Sequence, residues 1–109
     1  MMAGKYDIYI IEAGGEYRVR PAVAMVEGSG GGGVKPLKIR NVTGYTTILA
    51  FPPNFIVQQD IVTIGSKGTA TVNLVQGLDG NYPYSVVVCK NGELLPAKGE
   101  SGPSVIVDP

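Results

Sequence analysis

The sequence predicts an all-β fold, a two-sheet antiparallel Greek-key β-sandwich built from one domain spanning residues 1–109. Three observations predict it. No segment sustains apolar residues at a 3.6-residue period, so no amphipathic helix is encoded. Tyr, Val, Ile and Thr are abundant and alternate with polar residues, as half-buried strands require. Gly, Pro, Asn and Asp punctuate these runs every 8–12 residues, the spacing of turns in a sandwich.

Each strand has its own justification. KYDIYIIE, residues 5–12, alternates Tyr6, Ile8 and Ile10 on one face. EYRVR, 16–20, turns Tyr17 and Val19 inward and Arg18 and Arg20 outward. Pro21 then interrupts, which suits an edge or a crossover to a second sheet, and AVAMVE resumes a strand at 22–27. GSGGGG, 28–33, has no side chain to pack and reads as a flexible loop. Natural and engineered origins both fit its linker-like composition. It is no phosphate-binding loop, because Val34, Lys35 and Pro36 follow where Gly-Lys-Ser/Thr and a helix would be needed. LKIRNV at 37–42 and TTILAFP at 46–52 are strands around the turn at Thr43, Gly44 and Tyr45. PPNFIVQQ, 52–59, allows one helical turn at most. DIVTIG at 60–65, TATVNLV at 69–75, NYPYSVVVCK at 81–90 and PSVIVD at 103–108 complete the set.

Composition excludes several functions. Nine basic and nine acidic residues give zero net charge, whereas a nucleic-acid partner calls for a basic excess. Lys35, Lys38 and Arg40 cluster, and they read as a solvated strand face. Zero net charge instead favours weak self-association. The longest apolar runs are too short to span a bilayer, so no membrane role is expected. The start MMAGKYDIYI shows no apolar core with a cleavage site, hence no visible signal peptide. Cys89 is the only cysteine, so no internal disulfide forms. Histidine is absent. Ser–His–Asp and Cys–His catalysis and imidazole-dependent zinc or copper sites are thereby excluded, and no enzyme is expected. Glu93, Glu100 and Asp108 read as solvated charges near turns or the terminus.

Three segments carry a family resemblance over residues 34–108: LKIRNVTGYTTILAF, IGSKGTATVNL and GNYPYSVVV. Together they resemble the cupredoxins, the plastocyanin- and azurin-like sandwiches that hold a blue copper ion. The third is similar to the family's Gly-x-Tyr-x-Tyr-x-Cys strand. The resemblance implies ligand positions at Thr47 for the first histidine, Val86 for the cysteine, Cys89 for the second histidine and Leu94 for the axial methionine. None carries the expected ligand, so these are vestigial positions and no cofactor is expected. The ending SGPSVIVDP is also similar to a terminal strand of bacterial cupredoxin-like proteins that lack copper. If the chain is a mature fragment, the resemblance implies a periplasmic or extracytoplasmic location; a cytosolic one is the other reading.

The resulting expectation is a copper-free binding or structural interaction module with a protein partner or self-association through an edge strand. Tyr45, Pro52, Pro53 and Phe55 are the expected exposed apolar surface at the former copper end. Two alternatives stand beside it: a metal or electron-transfer protein with an atypical site at Cys89, and an engineered β-sandwich scaffold. Tyr82 and Tyr84 are expected in the core with Val86 and Val88, their hydroxyls reaching the rim. Asn41, Val42 and Thr43 form a glycosylation sequon, but the favoured role for Asn41 is a side-chain hydrogen bond to loop backbone.

Overall fold

Alternation of apolar and polar side chains builds strands whose inner faces share one core. The computed structural model describes residues 6–27, 35–57, 59–75, 77–97 and 103–108. The strands are β1 (Ile8–Ala13), β2 (Glu16–Arg20), β3 (Val23–Glu27), β4 (Lys35–Asn41), β5 (Thr46–Ala50) and β6 (Ile61–Ile64). They continue with β7 (Thr69–Leu74), β8 (Gly80–Pro83), β9 (Ser85–Lys90), β10 (Glu93–Pro96) and β11 (Ser104–Asp108). Among the described residues there is no helix, including at the described part of 52–59. The glycine-rich stretch 28–33 lies outside the described residues.

The strands form three hydrogen-bonded sheets, ordered β2-β1-β4-β7, β10-β9-β5-β6 and β3-β11-β8. This layered all-β architecture corrects the two-sheet antiparallel expectation in two ways. First, the β1–β4 and β3–β11 pairs are parallel. Each is closed by strands that cross to another sheet and return, a route that local alternation does not encode. Second, the strands divide among three sheets where two were expected. The crossover expected at Pro21 is present: Pro21 offers no N–H to extend the β1–β2 ladder, and β3 joins β11 instead.

The run 81–90 is likewise two strands, not one. Pro83 ends β8, which pairs with β11, and β9 begins at Ser85 against β5. Between them the Tyr84 N–H donates to the Pro103 carbonyl at 3.0 Å. Side-chain parity survives the bend: Tyr84, Val86 and Val88 are buried and Tyr82 packs partly against the core.

One strand was not expected. Asn91 and Gly92 have φ of 52° and 84°, as a tight hairpin turn between right-twisted strands demands. They fold β10 back on β9, with Leu94 opposite Cys89.

The core draws Ile8 and Ile10 from β1, Leu37 and Ile39 from β4, Leu49 from β5, Val62 and Ile64 from β6, and Val105 and Val107 from β11. At one end, Phe51 stacks on Phe55 at 5.4 Å and on Tyr84 at 4.9 Å, and Phe55 meets Tyr82 at 5.0 Å. Backbone bonds from Val57 to Asn73 (2.8 Å) and from Val75 to Phe55 (2.9 Å) lay residues 55–57 along β7, covering that edge. Phe55 is fully buried. Replacing it with alanine leaves a cavity beside the Phe51 and Tyr82 rings. Phe55→Ala is expected to cost about 3–5 kcal/mol and to lower the melting temperature by about 15 °C or more, readable by circular dichroism.

Candidate functional site

The end of the sandwich where β4 hands over to β5 is organised by one side chain. Asn41 is 0% exposed, and its Nδ2 donates to the carbonyls of Tyr45 at 2.7 Å, Gly65 at 2.9 Å and Ile64 at 3.2 Å. An amide has two N–H bonds, so one is shared between the adjacent Ile64 and Gly65 carbonyls. Its Oδ1 accepts the Thr43 N–H at 3.0 Å and the Thr43 hydroxyl at 2.7 Å. The backbone reinforces the clamp: the Asn41 N–H donates to Gly68, and the Lys67 N–H donates to Thr43. The Lys67 ammonium caps the Val42 carbonyl at 2.9 Å. The β6–β7 turn that supplies these partners is tight, since a Cβ on Gly68 would sit 3.0 Å from the Gly65 carbonyl. Asn41 therefore bonds loop backbone, as expected, and the folded chain offers no sequon asparagine.

The four positions implied by the resemblance fall on two faces of one sheet. Thr47 and Val86 point into the core, opposite Val88 and Leu49 respectively. Cys89 and Leu94 are cross-strand partners on the outer face, with Leu94 65% exposed. Strand geometry explains the split. Successive side chains alternate, so residues three apart on a continuous strand face opposite ways, and β9 runs unbroken past Cys89 to Lys90. The Thr47 hydroxyl is buried without a partner. A blue copper ion requires two imidazoles and a thiolate in one trigonal set; here a hydroxyl and a valine face inward, and the thiol faces outward. The residues present do not fit copper. Among the described residues, no three His, Cys, Asp or Glu side chains gather into a metal-holding group.

The expected interaction surface is also corrected. Tyr45 precedes β5, whereas Pro52, Pro53 and Phe55 follow it, so five strand residues, about 17 Å, separate them. Phe55 is buried, Pro53 is exposed and Pro52 is half-buried. Tyr45 is half-buried, packing edge-on to Tyr17 at 6.4 Å beneath the Lys90 ammonium at 5.5 Å. Phe55 turned inward because the aromatic cluster needs it. Tyr82 does reach the rim, where its hydroxyl donates to the Asp79 carbonyl at 3.0 Å and accepts the Asp79 N–H at 3.1 Å. Tyr84 does not. Its hydroxyl is buried without a partner, and burial pushes its ionisation far above the ordinary tyrosine value.

Among the described residues, two clefts can be placed. One of about 210 Å³ lies between Gly15, Glu16, Tyr17, Leu95 and Pro96. Another of about 490 Å³ is lined by Asn54, Ile56, Val57, Gln59, Asp60 and Val75. Each has one carboxylate in its lining. Glu16 is paired with Arg18 at 2.7 Å. Sequence reasoning missed the Thr43 hydroxyl, treating Thr43 only as a turn and sequon residue, and missed β10, although Asn91-Gly92 is a strong hairpin signal.

Fold and site together define an all-β, sandwich-like domain whose best-ordered polar feature is structural. No family model matches the chain, and no curated protein matches it. Among solved structures, it is similar to a copper binding protein in the apo form, determined by NMR in solution. That match has 12% identity and a TM-score of 0.47, covering 92% of this chain and 95% of the other. It is also similar to a chain in the CsuC–CsuE chaperone–tip adhesion subunit pre-assembly complex from archaic chaperone-usher Csu pili of Acinetobacter baumannii. There the identity is 8% and the TM-score 0.42, over 81% of this chain and 54% of that one. At these TM-scores neither likeness bears on function.

Two outcomes follow from the geometry. Asn41→Ala removes the bridge between sheets and leaves buried groups unpaired, so urea unfolding should register a loss of about 3 kcal/mol. Asn41→Asp should cost more at pH 7, because a carboxylate would face three carbonyls. A loss below about 0.5 kcal/mol for either, as at an ordinary surface site, contradicts the clamp. For Tyr84, folded and unfolded chains both hold the phenolic proton below pH 10.0, its ordinary value. Above it the unfolded chain ionises and the folded one resists, so stability falls as pH rises past about 10. Tyr84→Phe should show a shallower alkaline decline with undiminished stability at pH 7.

Proposed function

We propose that the chain is a copper-free, cupredoxin-like Greek-key sandwich that acts as a non-enzymatic protein-interaction or structural module. The observation that carries this reading is the division of the four ligand positions between two faces. Thr47 and Val86 belong to dry packing, and Cys89 and Leu94 to an exterior surface. Burying an apolar side chain where a ligand would stand contributes about 1.5–3 kcal/mol, so Val86 contributes to stability without an ion. The carboxylates in the clefts also support a non-catalytic role. Glu16 is held by a guanidinium, and no base–nucleophile pair is formed among the described side chains around either cleft. If the chain is a mature fragment, periplasmic or extracytoplasmic residence goes with the family resemblance and belongs to the same proposal.

The test is a copper titration with a thermal melt. Added Cu(II) should produce no intense thiolate-to-copper band in the visible, and EDTA should leave the melting temperature within about 2 °C. An intense band that disappears in Cys89→Ser would reinstate the metal-centre reading. A large EDTA-dependent drop in melting temperature would also count against a copper-free module.

A further inference from the structure

The two four-stranded sheets have opposite exteriors. On β2-β1-β4-β7, the register places Arg20, Tyr9 and Arg40 in one cross-strand row and Arg18 beside Ile11. Lys38 lies on the same face. All three arginines of the chain are there, as suits a solvated sheet face. The exterior of β10-β9-β5-β6 is built otherwise. Its rows are Leu94, Cys89 and Thr46; Pro96, Val87, Ile48 and Thr63; and Ser85, Ala50 and Ile61. None of these ten residues is an acid or a base. Leu94 and Ile61 are 65% and 60% exposed, and Ala50 and Pro96 are exposed beside them.

We infer that this uncharged face is a homodimer interface, packed face to face against the same face of a second copy. The inference rests on the interaction-module reading and names its partner. Four strands at about 4.8 Å and six residues of rise make a patch of about 19 by 20 Å, close to 400 Å² per copy. About 800 Å² in total lies below the roughly 1,200 Å² of a standard stable interface, so the dimer is weak and concentration-dependent. A second copy fits because two uncharged faces meet without desolvating or opposing ions, and zero net charge leaves no long-range repulsion between copies.

Charges at the rim select the arrangement. Lys67 lies just beyond the Cys89 end of the face and Asp60 just beyond the Ile61 end, whereas Lys90 and Glu93, one residue out of phase with Cys89 and Leu94, point to the other side. A two-fold axis lying in the interface and perpendicular to the strands brings the lysine end of one copy over Asp60 of the other. A two-fold along the strands would stack like ends. In the favoured arrangement each Cys89 lies one row from the axis, so the two thiols are about 14 Å apart. The dimer is therefore non-covalent and insensitive to reductant, yet it covers both thiols.

Sedimentation velocity of the full chain under reducing conditions, from about 10 µM to 1 mM, tests this. The sedimentation coefficient should rise toward a dimer, and the rate of maleimide addition to Cys89 should fall over the same range. Val87→Lys, at the centre, should abolish both trends. The exposed-site variant Leu94→Lys with Ile61→Lys should do the same and stay folded if Val87→Lys does not. A wild-type chain that stays monomeric throughout overturns the inference while leaving the interaction-module reading intact. Dimerisation unaffected by the lysine variants also overturns it and moves the contact elsewhere, for instance to the β3 edge. A copper-thiolate band would instead remove the reading itself.

Discussion

The buried amide of Asn41 fixes the arrangement on which the rest depends. Its carbonyl oxygen holds Thr43, and its nitrogen holds Tyr45, Ile64 and Gly65. Those partners belong to the β4–β5 loop and the end of β6, while Asn41 closes β4 in the other sheet. One side chain thus ties two sheets that share no ladder. An amide is suited to this because it both donates and accepts, whereas a carboxylate or hydrocarbon serves only one side or neither. With β4 and β5 set, Leu37, Ile39 and Leu49 meet across the core, and β9 is aligned through its ladder with β5.

Much of this was legible in the sequence. Inward positions of β1, β2, β6 and β7 follow from alternation, since a strand that is half-buried repeats every two residues. The Asn41 role was expected from the family resemblance, which implies a turn-side asparagine at this position. What the sequence withheld was long-range. Parallel pairing of β1 with β4 depends on where the two intervening strands, β2 and β3, go, and no local pattern records that. The bend at Tyr84 was hidden because Pro83 breaks the ladder without disturbing the inward alternation of Tyr84, Val86 and Val88. Phe55 was misplaced for a related reason: an aromatic in a loop reads as exposed until its neighbours Phe51 and Tyr82 are known.

The four positions implied by the resemblance show how parity decides chemistry. Ligands three residues apart can converge only if the chain leaves the strand between them. In this chain the Asn91-Gly92 turn prolongs β9 and adds β10, so Cys89 is committed to the exterior. Tyr82 and Tyr84, on either side of Pro83, fill the far end of the core with Phe51 and Phe55.

The interior placement of Asn41 has one more implication, and it concerns the history of each molecule. The triplet Asn41-Val42-Thr43 has the sequence of an acceptor for N-linked sugar, but the nitrogen that would be glycosylated is spent on three carbonyls. Only a chain that has not yet folded presents it. A chain modified in that interval can no longer close the join between β4 and the β6–β7 turn. In a secretory pathway with oligosaccharyl transfer, sugar at this asparagine would be a permanent mark of late folding, and the marked molecules would be the ones that fail.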